Sequence, residues 1–163
     1  MAPGLYWSLT AVLVAVLVTI AVWAYQTANR LDRLHVRYDL SWQALDAALA
    51  RRAVVARAVA ADSGDARLAG LAYDAERAPR WTREGCENEL STELSQIDQD
   101  AVRPALVAEL AEAESRVLLA RRFHNDAVRD TLALRERRPV RWLRLGGHAP
   151  LPTYFEIAET AQR

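Results

Sequence analysis

Functional side chains crowd the stretch Ala120, Arg121, Arg122, Phe123, His124, Asn125, Asp126, Ala127, Val128, Arg129, Asp130. Phe123, Asn125, Asp126 and Arg129 offer a ring, an amide, a carboxylate and a guanidinium within seven positions. On a helix, Asp126 and Arg129 lie three apart and Arg122 and Asp126 four apart. Such pairs meet on one face and stabilise it by about 0.2–0.5 kcal/mol each. This chemistry suits polar recognition better than bond making. The expectation is a structural network reaching the first long helix at Arg51 or Arg52, with Trp42 on that helix. A ligand or partner site is the competing reading.

Other reactive residue types are scattered. His35, His124 and His148 lie on three segments, and no H-x-x-x-H or H-E-x-x-H spacing occurs. His124 falls on an apolar stripe, so a packed, hydrogen-bonded imidazole is expected there. Gly146-Gly147-His148 lacks the Lys and the strand–helix setting of a phosphate loop, and reads as a turn. The sole cysteine, Cys86, excludes an internal disulfide and a Cys-based zinc cluster. No histidine near it in sequence would activate it, so it reads as a small core residue. Glu109, Glu112 and Glu114 look like a solvated helix face, without the second acidic pair of a di-metal carboxylate site. The reading assigns no catalytic residue, cofactor or metal, and no enzyme activity.

A second lead is the segment 135–144, in which Arg135, Arg137, Arg138, Arg141 and Arg144 surround Trp142 and Leu143. Near an anionic leaflet each Arg contributes about 1 kcal/mol, and an indole suits the headgroup layer. The alternative is a solvated helix end whose cations complement the C-terminal dipole.

The elements that must position these residues follow from hydropathy. No charge occurs from Met1 to Asn29, and Leu5 to Ala24 reads LYWSLTAVLVAVLVTIAVWA. A helix of that length spans about 30 Å, the hydrocarbon thickness of a bilayer. Tyr6 and Trp7 mark one end and Trp23 and Tyr25 the other, as in an aromatic belt. Ser8, Thr10 and Thr19 can return their hydroxyls to backbone carbonyls. A cleaved signal would need a basic start and an A-x-A exit, and neither is present. Arg30, Arg33 and Arg37 follow the span and nothing basic precedes it, so the positive-inside rule predicts an outer N-terminus and a cytoplasmic remainder. Ala11 and Ala15 form a weak small-xxx-small step, which leaves self-association open.

Beyond the span, Leu31, Leu34, Tyr38, Trp42, Leu45, Leu49, Ala53, Ala56 and Val59 recur at helical steps. Asp62-Ser63-Gly64-Asp65 supplies a stop and a new cap. Ala66 to Glu76 predicts a short helix, and Thr82 starts another, with Cys86, Leu90, Leu94 and Ile97 inward. Pro104 opens a long helix with Leu106, Leu110, Ala113, Val117, Ala120, His124, Ala127, Thr131 and Leu134 on one face. Leu118, Phe123 and Val128 widen that face, and Pro139 ends it. The prediction is all-α: a transmembrane helix at 1–29, an antiparallel up-down four-helix bundle at 30–138, and a basic, aromatic tail at 139–163. Formal charge is balanced, 21 against 21, which argues against a general nucleic-acid binder. Residues 30–60 and 135–163 are each net +3 around an acidic 61–99 at net −5.

The run from Ala120 to Asp130 resembles the A-R-R-F-Y-N-D-A-V-R signature of LemA-like proteins, bacterial single-pass membrane proteins, with His124 in the Tyr position. Glu114 and Arg116 fit the preceding E-N-R. Asn29, Arg30, Leu31 and Asp32, then Trp42, Leu49, Arg51 and Arg52, fit the family's N-R-V-D-E-A-W…L-x-R-R segment. Pro139, Gly146, Tyr154, Phe155 and Glu156 resemble its close. Arg57 stands where the family has Pro, and residues 60–85 diverge. The resemblance implies an N-out, C-in protein with a four-helix bundle, and it implies no enzyme. The expected role is a membrane-tethered helical scaffold or interaction protein at the inner leaflet. Its partners are membrane lipid along 5–24, anionic headgroups along 135–144 and an unidentified protein. The alternative is a sensor module acting on a membrane protease or signalling system.

Overall fold

The computed structural model describes residues 3–147 and 149–157. Among these the chain forms five α-helices and no strand: α1 Pro3–Ser63, α2 Ala66–Arg77, α3 Arg80–Leu94, α4 Pro104–Arg135 and α5 Arg138–Trp142. A 3-10 turn, Gln99–Ala101, precedes α4. The chain divides into two compact units, Met1–Tyr38 with Val128–Pro152, and Asp39–Ala127 with Thr153–Arg163.

In the first unit, α1 begins with an apolar surface that packs on nothing. Every side chain from Tyr6 to Trp23 is exposed. This is one helix long and apolar enough to cross a membrane, and its apolar window is wholly unburied. Thr10 donates to the Tyr6 carbonyl and Thr19 to the Ala15 carbonyl, both at 2.8 Å, so the hydroxyls are satisfied within the helix. Burial begins where the apolar run ends: Ala24 is half-buried, and Thr27 and Leu31 are buried. Leu31 shares a small core with Leu134 of α4 and Val140 of α5, with Leu34 and Leu145 packed on it.

That core pins α5 to α1. Pro139 does not end α4, which stops at Arg135; it sits in the first turn of α5, where its missing N–H costs nothing. At the other end of α5 the Leu145 N–H reaches the Val140 carbonyl at 3.0 Å and the Arg144 N–H reaches the Arg141 carbonyl at 3.2 Å. This is a Schellman closure, with Leu145 and Val140 in the hydrophobic contact that accompanies it. Such a closure needs a left-handed residue, and Arg144 fills it at φ 50°. Glycine would hold that conformation without the cost of about 1–2 kcal/mol that a side chain incurs.

The second unit is built on small side chains. Ala56, Val59 and Ala60 of α1, Leu68, Ala72 and Ala75 of α2, and Leu90 and Leu94 of α3 form one core with Val102. Leu106, Val107 and Leu110 of α4 pack against it. Gly64, at φ 73°, ends α1, and Asp65 caps α2 by accepting from the Arg67 and Leu68 N–H groups at 3.0 Å. Asp62 accepts from the backbone N–H of Arg103 at 2.8 Å and from its Nε at 2.6 Å. The backbone N–H is the larger influence that holds the Asp62 carboxyl below its usual range. Ser41 meets His124, Arg51 meets Glu109 and Asp62 meets Arg103. Residue numbers on α4 thus fall as those on α1 rise.

Two further details differ from the sequence expectation. α3 starts at Arg80 behind Pro79, not at Thr82, whose hydroxyl instead donates to the Pro79 carbonyl at 3.3 Å. Leu118 and Phe123 do not widen the buried face of α4; both are exposed, while Val128 is buried.

The buried face of α3 also carries charge. Arg83, Glu87 and Ser91 recur at steps of four, all buried. Arg52 of α1 donates to Glu87 Oε2 at 2.6 Å, to the Glu87 carbonyl at 3.2 Å and to Ser91 Oγ at 3.0 Å. Arg83 donates to Glu87 Oε1 at 3.0 Å and to the Glu76 carbonyl at 3.2 Å, and lies 3.2 Å from Asp46. One fully buried carboxylate therefore serves two guanidiniums, each with a side chain 4% exposed. Removing Glu87 strands the buried Arg52 and leaves Arg83 only the half-exposed Asp46, whereas removing Arg83 leaves a balanced Arg52–Glu87 pair. Glu87→Gln is therefore expected to cost about 3–5 kcal/mol, in the range for breaking a buried ion pair, and Arg83→Met distinctly less. Denaturant unfolding of the full chain in detergent ranks the two, and the opposite order contradicts the assignment.

Candidate functional site

Three residues of the conspicuous run on α4, Arg121, His124 and Asn125, form a clasp for the chain's own segment from Thr153 to Ile157. Asn125 donates from Nδ2 to the Phe155 carbonyl at 3.1 Å and accepts the Phe155 N–H on Oδ1 at 3.0 Å. Its amide thus does for Phe155 what a neighbouring strand residue does in a hydrogen-bonded antiparallel pair. One turn earlier Arg121 donates to the Ile157 carbonyl at 3.1 Å. His124 contacts the Thr153 carbonyl through Nε2 at 3.3 Å and Ser41 Oγ through Nδ1 at 3.1 Å. The carbonyls held belong to alternate residues, 153, 155 and 157, which is the period of an extended chain. From α3, Glu84 accepts the Glu156 N–H at 3.3 Å.

The Phe155 ring fills the pocket that these contacts frame. It is 3% exposed and shares a core with Leu45, Leu49 and Val117. Trp42 is the wall of the pocket: its ring meets Phe155 edge-on at 5.8 Å and His124 edge-on at 5.6 Å. The Arg80 guanidinium covers the Trp42 ring at 4.0 Å from the centroid, a cation–π contact. A carbonyl can only accept, so the Thr153 contact fixes the proton of neutral His124 on Nε2, and Nδ1 accepts from the Ser41 hydroxyl.

The residues singled out from sequence separate into groups. Trp42 and Asn125 come together in the clasp. Arg122, Phe123 and Arg129 are exposed and Asp126 is half-buried. The expected network to Arg51 or Arg52 is made by other residues: Arg51 pairs with Glu109, and Arg52 with Glu87 and Ser91. Of the three glutamates read as solvated, Glu112 is exposed, whereas Glu109 and Glu114 are half-buried. Burial raises the Glu114 carboxyl above its usual range, against the lowering charge of Arg52. Cys86 packs against the second unit's core, as expected. His148 lies outside the described residues. Among the described residues no group of three or more potential metal ligands occurs.

In the first unit, Arg137, Arg138, Arg141, Trp142, Leu143 and Arg144 are exposed. Arg135 is spent internally, donating to the Ala149 and Pro150 carbonyls at 2.9 and 3.1 Å. Its side chain lies on Gly146, where a Cβ would come within 3.2 Å of Nε. Comparison with protein-family models, curated proteins and solved structures finds no match to this chain.

Burial is the main reason that the His124 imidazole titrates below its ordinary range; the Thr153 hydrogen bond opposes this and the Arg80 charge adds to it. The unfolded chain takes up a proton near pH 6.5 that the folded clasp refuses. Stability is then full above about pH 6.5, falls as pH drops below it, and levels off once the folded imidazole titrates. The raised Glu114 carboxyl has the opposite sign, so the informative comparison is with His124→Gln. Thermal unfolding between pH 7.5 and 5 should fall more steeply for the native chain than for that variant. Parallel curves contradict a neutral buried His124.

Proposed function

We propose that the chain is a single-pass, membrane-tethered helical scaffold of the LemA type. The anchor crosses the bilayer at Leu5–Ala24 with its N-terminus outside, and an antiparallel bundle lies on the cytoplasmic side. The proposal assigns it no reaction. The observation that carries the reading is the coincidence of two boundaries on α1. The exposed apolar surface ends at Trp23, and burial begins within a turn of it. A soluble core helix would bury that apolar run, and here none of it is buried.

The same unit supports a membrane-surface role for α5. Leu31, which packs with Val140, is seven residues past Ala24, or about 10 Å along a helix. The headgroup layer extends about 5–8 Å beyond the hydrocarbon on each side. Trp142, 91% exposed, and Arg138 and Arg141 are thus borne near that layer by a helix pinned to the anchor's end. Arg144 adds a second argument. A charged side chain is kept at a left-handed position that favours glycine, as expected where the cation itself is of use.

The test labels Leu143→Cys in a Cys86→Ser background with a polarity-sensitive dye, in the full chain reconstituted in lipid nanodiscs. The emission should shift to the blue and resist an aqueous quencher when the lipid is anionic, and less so when it is zwitterionic. Arg144→Gly should gain about 1 kcal/mol of stability by relieving the left-handed strain and should narrow the difference between lipids. Full quencher access in both lipids rejects the surface role.

A further inference from the structure

We propose that the clasp on α4 is a recognition site for an extended Phe-Glu-Ile segment, and that a second copy of this chain can supply that segment in place of the resident one. The recognition chemistry is that of peptide binding. His124, Asn125 and Arg121 read the carbonyls of Thr153, Phe155 and Ile157, and Asn125 and Glu84 read the N–H groups of Phe155 and Glu156. A single ring enters a pocket walled by Trp42. Main-chain contacts at alternate residues with one side-chain pocket are the division of labour of strand-type peptide recognition. Here side chains of a helical unit do the work of a sheet edge. None of these contacts depends on which chain the segment comes from.

The chain's course gives the segment the character of an arm. Residues 128–152 belong to one compact unit and the segment from Thr153 onward to the other. The handover thus falls at Pro152–Thr153, immediately before the first clasped carbonyl. The clasped stretch is short, and Thr153, Tyr154 and Glu156 remain exposed. A copy that takes its neighbour's arm makes the same contacts with no new surface, the low-cost exchange that characterises swapped dimers. Tethering to one bilayer, as proposed above, raises the local concentration of arms. The exchange itself follows from the clasp and does not require the tether to be right.

The experiment co-expresses two differently tagged full-length chains and extracts them in mild detergent. Phe155→Ala leaves a working clasp and spoils the arm. Asn125→Ala leaves a working arm and spoils the clasp. Each variant paired with its own kind lacks one half of the contact, whereas the mixed pair has one complete clasp. Pull-down by one tag should recover the mixed pair at least tenfold over either self pair, and a chain carrying both substitutions should lose the advantage when paired with Phe155→Ala. Equal recovery of mixed and self pairs, with helicity retained by circular dichroism, overturns the proposal. Should either variant lose helicity, Phe155→Leu and Asn125→Asp replace them under the same criterion. Membrane association of every variant is scored separately, so that a failure of anchoring is not read as a failure of exchange.

Discussion

An apolar surface without a partner is the constraint from which the rest follows. Leaving a single Val, Leu or Ile side chain in water forgoes about 1.5–3 kcal/mol. A handful of such residues would cancel the whole stability of an ordinary domain, about 5–15 kcal/mol. From Tyr6 to Trp23 every side chain of α1 is exposed, most of them Val, Leu, Ile or Ala. The backbone there is satisfied by the helix and the Thr10 and Thr19 hydroxyls by its carbonyls, which is what a medium without water demands. In the proposed reading a second solvent, the bilayer, resolves the conflict, and the step from exposure to burial between Trp23 and Thr27 marks its edge. The small core of Leu31, Leu134 and Val140 then fixes a short basic and aromatic helix beside that edge.

The second unit meets a different requirement. Its core is rich in alanine and alone offers modest apolar area, and through it runs a charged triad. Glu87 is shared by Arg52 and Arg83, and Arg83 also holds the carbonyl end of α2 through Glu76. Buried charge contributes less to net stability than apolar packing of equal volume, but a misplaced partner is severely penalised. The triad thus fixes how α1, α2 and α3 fit within this unit, since any other fit would strand a guanidinium. The clasp uses the same logic on a smaller scale. Asn125 and His124 spend their hydrogen bonds on the tail's backbone, which would otherwise bury unpaired polar groups around Phe155.

Apolar periodicity carried most of the helices in advance. Every residue assigned to the inward stripe of α1 between Leu31 and Val59, and of α4 between Leu106 and Leu134, is buried or half-buried. Gly64 and Asp65 act as stop and cap as their types require. The failures share a cause. Arg83 and Glu87, four apart on α3, belong to no apolar stripe, and their buried partner Arg52 comes from a distant segment. Phe123 and Leu118 look like core because hydropathy does not report which side of a helix has a neighbour. Arg135 looks like one more surface cation, and its use on the Ala149 and Pro150 carbonyls depends on a later turn. The sequence points Trp42 and Asn125 to a network at Arg51 or Arg52, whereas both serve the tail. Their common partner, Phe155, is thirty positions beyond Asn125, and no local pattern links them.

Alkaline extraction of membranes from cells making the full chain tests the anchor most directly. The account predicts that the chain stays in the membrane pellet at pH 11, where peripheral proteins are stripped, and that detergent releases it. Recovery of the intact chain in the alkaline supernatant would contradict the account, because the surface from Tyr6 to Trp23 would then need a protein partner and not a bilayer.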